Sequence, residues 1–223
     1  MDNVTIENQN KGLQLLDWAY EKCLDGIPNV SKTIPELAND YLHRYKDSEV
    51  AINKLIKSQI SKNTVNGFVT SVGGVAVLPV SIAMVPANIT SVIYVQMRMV
   101  AAIAYIRGYD LNNDEVQTFI YGCIVGKGIS DIFKEAGINT GMKLGSSVIR
   151  KIPGEVLKKI NQKIGFRFVT KSGTKGIINL TKLVPVLGGV IGGGFDYSST
   201  KIIAARAKKV FDNSRIINLN HFD

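Results

Sequence analysis

Apolar residues recur at helical spacing along most of the chain. Leu13, Leu16, Ala19, Tyr20, Cys23 and Leu24 fall three or four apart, which predicts a helix over residues 11–25. Gly26 and Pro28 stop it. Ser31 or Thr33 then caps a second helix, with Pro35 in its first turn and Leu37, Ala38, Tyr41, Leu42 and Tyr45 as its stripe. Ser48 is the expected cap of a third, carrying Val50, Ala51, Leu55, Ile56 and Gln59. All three have a polar face left over for water.

The pattern changes at Asn63. From there to Met97 no residue is charged, a run of 35 positions and long enough for one bilayer crossing. Gly67, Gly73, Gly74, Pro79 and Pro86 interrupt it, and each proline lacks the N–H that a continuous helix needs. The run therefore divides into a helix from about Val65 to Leu78 and another from about Pro86 to Tyr105. Such a hairpin suits either a buried core pair or an element dipping into lipid, and its breaks favour the core. Gly108 ends the second helix. Asn112 to Glu115 cap the next, expected to run to about Phe133 with its acids at the positive end of the helix dipole.

Pro153 starts a further helix at Gly154 that includes Ile160, whereas Gly165–Phe168 and Lys171–Gly176 suggest loops. The last apolar segment, residues 183–197, holds five glycines in the seven positions 188–194. Each costs about 1 kcal/mol relative to Ala in a helix. Gly188 with Gly192, and Gly189 with Gly193, form interleaved GxxxG pairs, and Gly73 and Gly74 mark the other glycine-rich helix. Small residues four apart let a second helix backbone approach closely. The fold class expected is all-α: a multi-helix bundle with a central pair of apolar glycine-rich helices, in one domain with its core over about 10–212 and a short tail at 213–223.

Charge adds an asymmetry. The net charge is +9; residues 1–111 carry 10 basic and 10 acidic side chains, and residues 112–223 carry 17 and 8. Between Lys143 and Lys182, ten Lys/Arg face Glu155 alone. Lys158, Lys159, Lys163, Arg167, Lys171 and Lys175 are the candidate anion-binding residues of that stretch, unless they are simply a solvated helix face. Phe166 and Phe168 beside Arg167 resemble stacking residues for single-stranded nucleic acid, but core anchoring is the commoner use of such aromatics.

Candidate chemistry is sparse. With two histidines, no HExxH, no CxxC and neither GxSxG nor a Rossmann fingerprint, no metal or cofactor is expected. Two cysteines in helical patterns and an N-terminus without a basic or apolar leader fit a reducing cytoplasm. The polar candidates are Gln96, Arg98, Asp110 and Asp196, each flanking an apolar helix. Asp196 is placed to pair with Arg98 if the glycine-rich segments meet. That pair would more simply fix helix register than supply an acid for hydrolysis.

Taken together, these stretches resemble the EcsC family of bacterial proteins. The resemblance is carried by Gly67-Phe68, Gly73-Gly74, Leu78-Pro79-Val80, Gln96 to Ala104, Gly108-Tyr109-Asp110-Leu111, Val184 to Gly193, and Phe195-Asp196. It runs over roughly residues 10–212. Asn88 stands where the family pattern tends to place an acid. The resemblance implies an all-helical fold in a cytoplasmic or membrane-associated setting, and the family's name comes from a protein encoded beside an ABC transporter. It implies no particular reaction.

The function expected is thus non-enzymatic: an accessory or regulatory protein peripheral at the inner membrane face, meeting anionic lipid or a membrane protein such as a transporter. A hydrolase of lipid or phosphate esters using Asp196 and Asp110 is the alternative from another class, and a nucleic-acid binder through residues 143–182 is a third. The glycine pattern yields a direct test. Gly189→Leu, Gly192→Leu or Gly193→Leu should overpack a helix crossing and lower stability by about 1–3 kcal/mol. An unchanged melting temperature in these variants would show the segment exposed.

Overall fold

The computed structural model describes residues 3–64, 87–125, 134, 152–170 and 194–211, with side chains described for 13–61, 92–125, 134, 152–164 and 199–211. Among them are seven helices: α1 (Asn3–Asp25), α2 (Ile34–Tyr45), α3 (Ser48–Thr64), α4 (Ala87–Ile106), α5 (Asp114–Val125), α6 (Gly154–Thr170) and α7 (Gly194–Val210). No strand occurs among the described residues, and one isolated bridge, Ile27 with Ser31, closes the α1–α2 loop.

The helices form a ring around an axis. In the order α1, α2, α3, α7, α5, α6 and back to α1, each packs on the next. Helix α4 fills the middle and makes substantial contact with every ring member except α6. Its sequence explains that position. Residues Ile93 to Ala104 present apolar side chains on every side, and a helix apolar all round has to be covered all round. Every residue from Ile93 to Ala104 is buried. Ring helices contribute Leu15, Leu16, Ile34, Ile52, Leu55 and Phe119 to the same core, and Phe211 joins it just past α7, each worth about 1.5–3 kcal/mol when removed from water. A single axial helix without an internal glycine thus holds the described centre. The glycine-rich segments expected to form a central pair, with Gly73, Gly74, Gly188, Gly189, Gly192 and Gly193, lie outside the described residues. So do the expected helix over 65–78 and the stretch beyond Val125 of the helix expected to reach Phe133.

The helix ends follow local chemistry, with departures from expectation at the cap of α3 and the end of α6. Thr33, not Ser31, caps α2: Glu36 N donates to Thr33 Oγ1 at 3.3 Å, and Thr33 N donates to Glu36 Oε2 at 2.9 Å, a reciprocal capping box. Asp47 rather than Ser48 caps α3, because its carboxylate accepts from Val50 N at 2.7 Å while Ser48 is already helical. Residues 165–168, expected as a loop, continue α6 to Thr170. Gly108 ends α4 as expected, with φ of 78°; Gly108 N bonds Tyr105 O and Tyr109 N bonds Ala104 O, as in a Schellman motif.

The α1–α2 turn is the tightest point. Gly26 has φ of 73°, and a Cβ there would lie 2.6 Å from Ser31 O and 3.0 Å from Thr33 N, both backbone atoms. At Gly154 a Cβ would meet nothing within 4 Å. Gly26→Ala should therefore cost about 1–3 kcal/mol in urea unfolding, through strain and the forced shift of the loop. Gly154→Ala should leave stability nearly unchanged. Equal behaviour of the two variants would refute this account of the turn.

Candidate functional site

Helix α4 carries the buried polar side chains Gln96 and Arg98, together with the buried Tyr94. Tyr94 and Arg98 are four residues apart and share one face. Arg98 is 5% exposed, and its Nη1 donates to Lys32 O at 2.6 Å and to Tyr94 Oη at 3.3 Å. The Tyr94 hydroxyl lies 2.6 Å from Ser31 Oγ and donates to Lys22 O at 3.3 Å. The guanidinium also stands 5.6 Å from the Tyr94 ring centroid, a cation–π distance. Cys23 Sγ completes this side by donating to Tyr94 O at 3.6 Å. One face of α4 thus grips both the end of α1 and the approach to α2.

Gln96 points elsewhere. Its Nε2 donates to Ser199 Oγ at 3.2 Å and Thr200 Oγ1 at 3.4 Å, tying α4 to α7. Just past the far end of α4, Arg107 is almost fully buried and donates through Nη2 to Glu49 Oε1 of α3. The other Glu49 oxygen meets Lys208 Nζ of α7 at 3.1 Å, and the same ammonium bonds Asn53 Oδ1 at 3.0 Å. One carboxylate therefore joins three parts of the bundle. On the other side of the ring, Tyr121 of α5 donates to Asp17 of α1 at 2.6 Å and accepts from Gln117 at 2.5 Å.

These arrangements hold protons in place. Burial pushes the Cys23 thiol well above its ordinary range, only partly opposed by the nearby Arg98 charge. Burial pushes Cys123 up to about 12, against the pull of Arg206. A thiol is nucleophilic as its thiolate, so both sulfurs are unreactive at neutral pH. Burial likewise raises Tyr94 and Tyr121, which remain hydrogen-bond donors. Among the described residues no group of three His, Cys, Asp or Glu is placed to hold a metal ion.

The chain matches the family model described as the EcsC protein family over residues 19–216. The chain belongs to the EcsC family. No curated protein and no solved structure matches it.

In this EcsC-family bundle the three polar candidates with described side chains, Gln96, Arg98 and Asp110, separate. Gln96 and Arg98 lie on different faces of α4 and meet different neighbours. Asp110 is exposed in the α4–α5 connection, where its oxygens accept from Asn112 N, Asn112 Nδ2 and Asn113 Nδ2, the work of a turn residue. Asp196 lies in α7 with its side chain outside the described residues. Of the basic candidates, Lys158, Lys159 and Lys163 are exposed on α6. Arg167 lies in α6 with its side chain outside the described residues, and Lys171 and Lys175 fall outside them altogether. Sequence reasoning passed over Tyr94, Glu49, Ser199 and Thr200 as partners. Their role depends on contacts with residues 58 to 104 positions away, for which no local pattern is a signal.

Arg98 is the sharpest test of this network. Arg98→Leu leaves Lys32 O without its donor while keeping the site apolar. It should cost about 1–3 kcal/mol and loosen the α1–α2 loop. Faster amide exchange at Ile27 and Ser31, together with a lower melting temperature, is the expected readout. Unchanged exchange there would remove the anchoring role.

Proposed function

We propose that this EcsC-family protein is a non-enzymatic accessory or regulatory factor working at an anionic membrane surface, with a membrane protein such as a transporter as its partner. The observation that carries the reading is the display of lysines on the outside of a densely packed bundle. Lys158, Lys159 and Lys163 are exposed on α6, and Lys54, Lys57, Lys201 and Lys209 are exposed on α3 and α7. A lysine close to an anionic leaflet contributes about 1 kcal/mol to adsorption. That attraction extends over a Debye length of about 10 Å at 0.1 M salt.

Two further features bear on how the protein would meet such a surface. No helix among the described residues is long and apolar enough to cross a membrane. Gln96, Arg98 and Arg107 are engaged in joining helix to helix, and both thiols are held protonated. Such a bundle suits a body that docks through the charges on its outside.

Vesicle co-sedimentation tests the proposal. Binding should be strong to vesicles containing phosphatidylglycerol, weak to phosphatidylcholine alone, and should fall steadily as salt is raised. Absence of binding to anionic vesicles even at low salt would end the membrane-surface reading.

A further inference from the structure

The ring order places two basic surfaces on different sides of the molecule. Helix α6 has α1 and α5 as its ring neighbours. Helix α3 stands three places round the ring, between α2 and α7. A flat bilayer can lie against one side at a time. The α6 lysines and the lysines of the α3–α7 side are therefore competing candidates for the contact.

The α3–α7 side carries the larger excess of positive charge. Helices α3 and α7 together contain seven Lys/Arg against Glu49 and Asp196, whereas α6 with its ring neighbour α5 contains four against three acids, and with α1 six against five. Glu49 is held between Arg107 and Lys208 at one end of the pair. The bonds from Lys208 to Asn53 and Glu49 set the end of α7 against the start of α3, so the two helices run antiparallel. At 1.5 Å per residue, Lys201 lies about 10 Å back along α7, level with the middle of α3 and hence with Lys57. Lys54, Lys57, Lys201 and Lys209 are exposed, whereas Arg206 turns inward to donate to Cys123 O of α5.

This side also has exposed apolar side chains. Among the described residues the exposed large hydrophobics are Val50, 43% exposed on α3, and Ile202, 39% exposed on α7. The described exposed residues of α6 include Glu155 and no large hydrophobic. Aliphatic groups beside lysines fit the headgroup boundary of a bilayer, where ammonium groups meet phosphates and methyl groups reach the layer beneath. Lysine offers a compact, rotatable charge and makes no demand for a fixed bidentate partner, which suits a fluid lipid surface.

We infer that the α3–α7 face, with Lys57, Lys201, Lys209, Val50 and Ile202, is the surface that meets anionic lipid, and that the α6 lysines face away from it. The inference rests on the membrane reading above and specifies its contact face. Three full-length proteins test it on vesicles of equal parts phosphatidylglycerol and phosphatidylcholine: the unaltered chain, Lys57→Glu/Lys201→Glu/Lys209→Glu, and Lys158→Glu/Lys159→Glu/Lys163→Glu. The two variants carry the same net charge, so a difference between them reports the face and not the total charge. The α3–α7 variant should lose at least about tenfold more partitioning than the α6 variant. Equal losses, or a greater loss from α6, would overturn the assignment while leaving the membrane reading in place. Failure of the unaltered chain to bind would remove both, and binding to soluble polyglutamate without vesicle binding would mark the face as a protein-docking surface instead. An independent readout guards against misfolding of the triple variants. The fluorescence of Ile202→Trp should be quenched by brominated anionic lipid, whereas the native Trp18 is buried at 6% exposure. If the emission added by that substitution is not quenched, the assignment is again overturned.

Discussion

An axial helix that is apolar on every side has to be surrounded, and in this protein the surrounding is what the rest of the fold depends on. Helix α4 packs on five of the six ring helices, and its residues from Ile93 to Ala104 are buried. Burial alone would not choose which helix goes where, since apolar contact has no direction. The choice is sharpened by the polar side chains that the same helix takes into the core. Arg98 and Tyr94 need the carbonyls and hydroxyl of the α1–α2 region, and Gln96 needs the hydroxyls of α7. Arg107, just beyond the helix, needs the carboxylate of α3. A buried donor without its acceptor costs about 1–3 kcal/mol, so a ring assembled in another order would be penalised at several points at once.

The same packing distributes charge between inside and outside. Glu49 is drawn into contact with Arg107 and Lys208, and Arg206 is turned towards Cys123 O. Lys54, Lys57, Lys201 and Lys209 stay on the outer faces of α3 and α7. Membrane adsorption through such a face would not require the bundle to open. The Gly26 turn and the Tyr94–Arg98 cluster hold α1 and α2 to the axis, and the Glu49 junction holds α3 and α7 together beneath the proposed surface. The proposed mode of action is therefore that of a basic body whose orientation on lipid decides what its remaining faces can meet.

The all-helical class, the family and most helix limits were legible along the chain. These are local matters: the spacing of apolar residues, the glycine at 108 and the proline at 35 act within one or two turns. Lys158, Lys159 and Lys163 were legible as surface residues too, because an unpaired buried lysine is so unfavourable. Partnerships between residues far apart in the chain came only with the packing of the helices. Gln96 meets Thr200 across 104 positions, and Arg98 takes a carbonyl at position 32. The α3–α7 face was hidden for the same reason. In the chain, Lys54 and Lys57 belong to a half whose charges balance, and they become part of a basic surface only when the packing of α3 on α7 sets them on one side with Lys201 and Lys209. Charge in a sequence is counted along one dimension, whereas a partner meets it on a surface, and the folding of the ring converts one into the other.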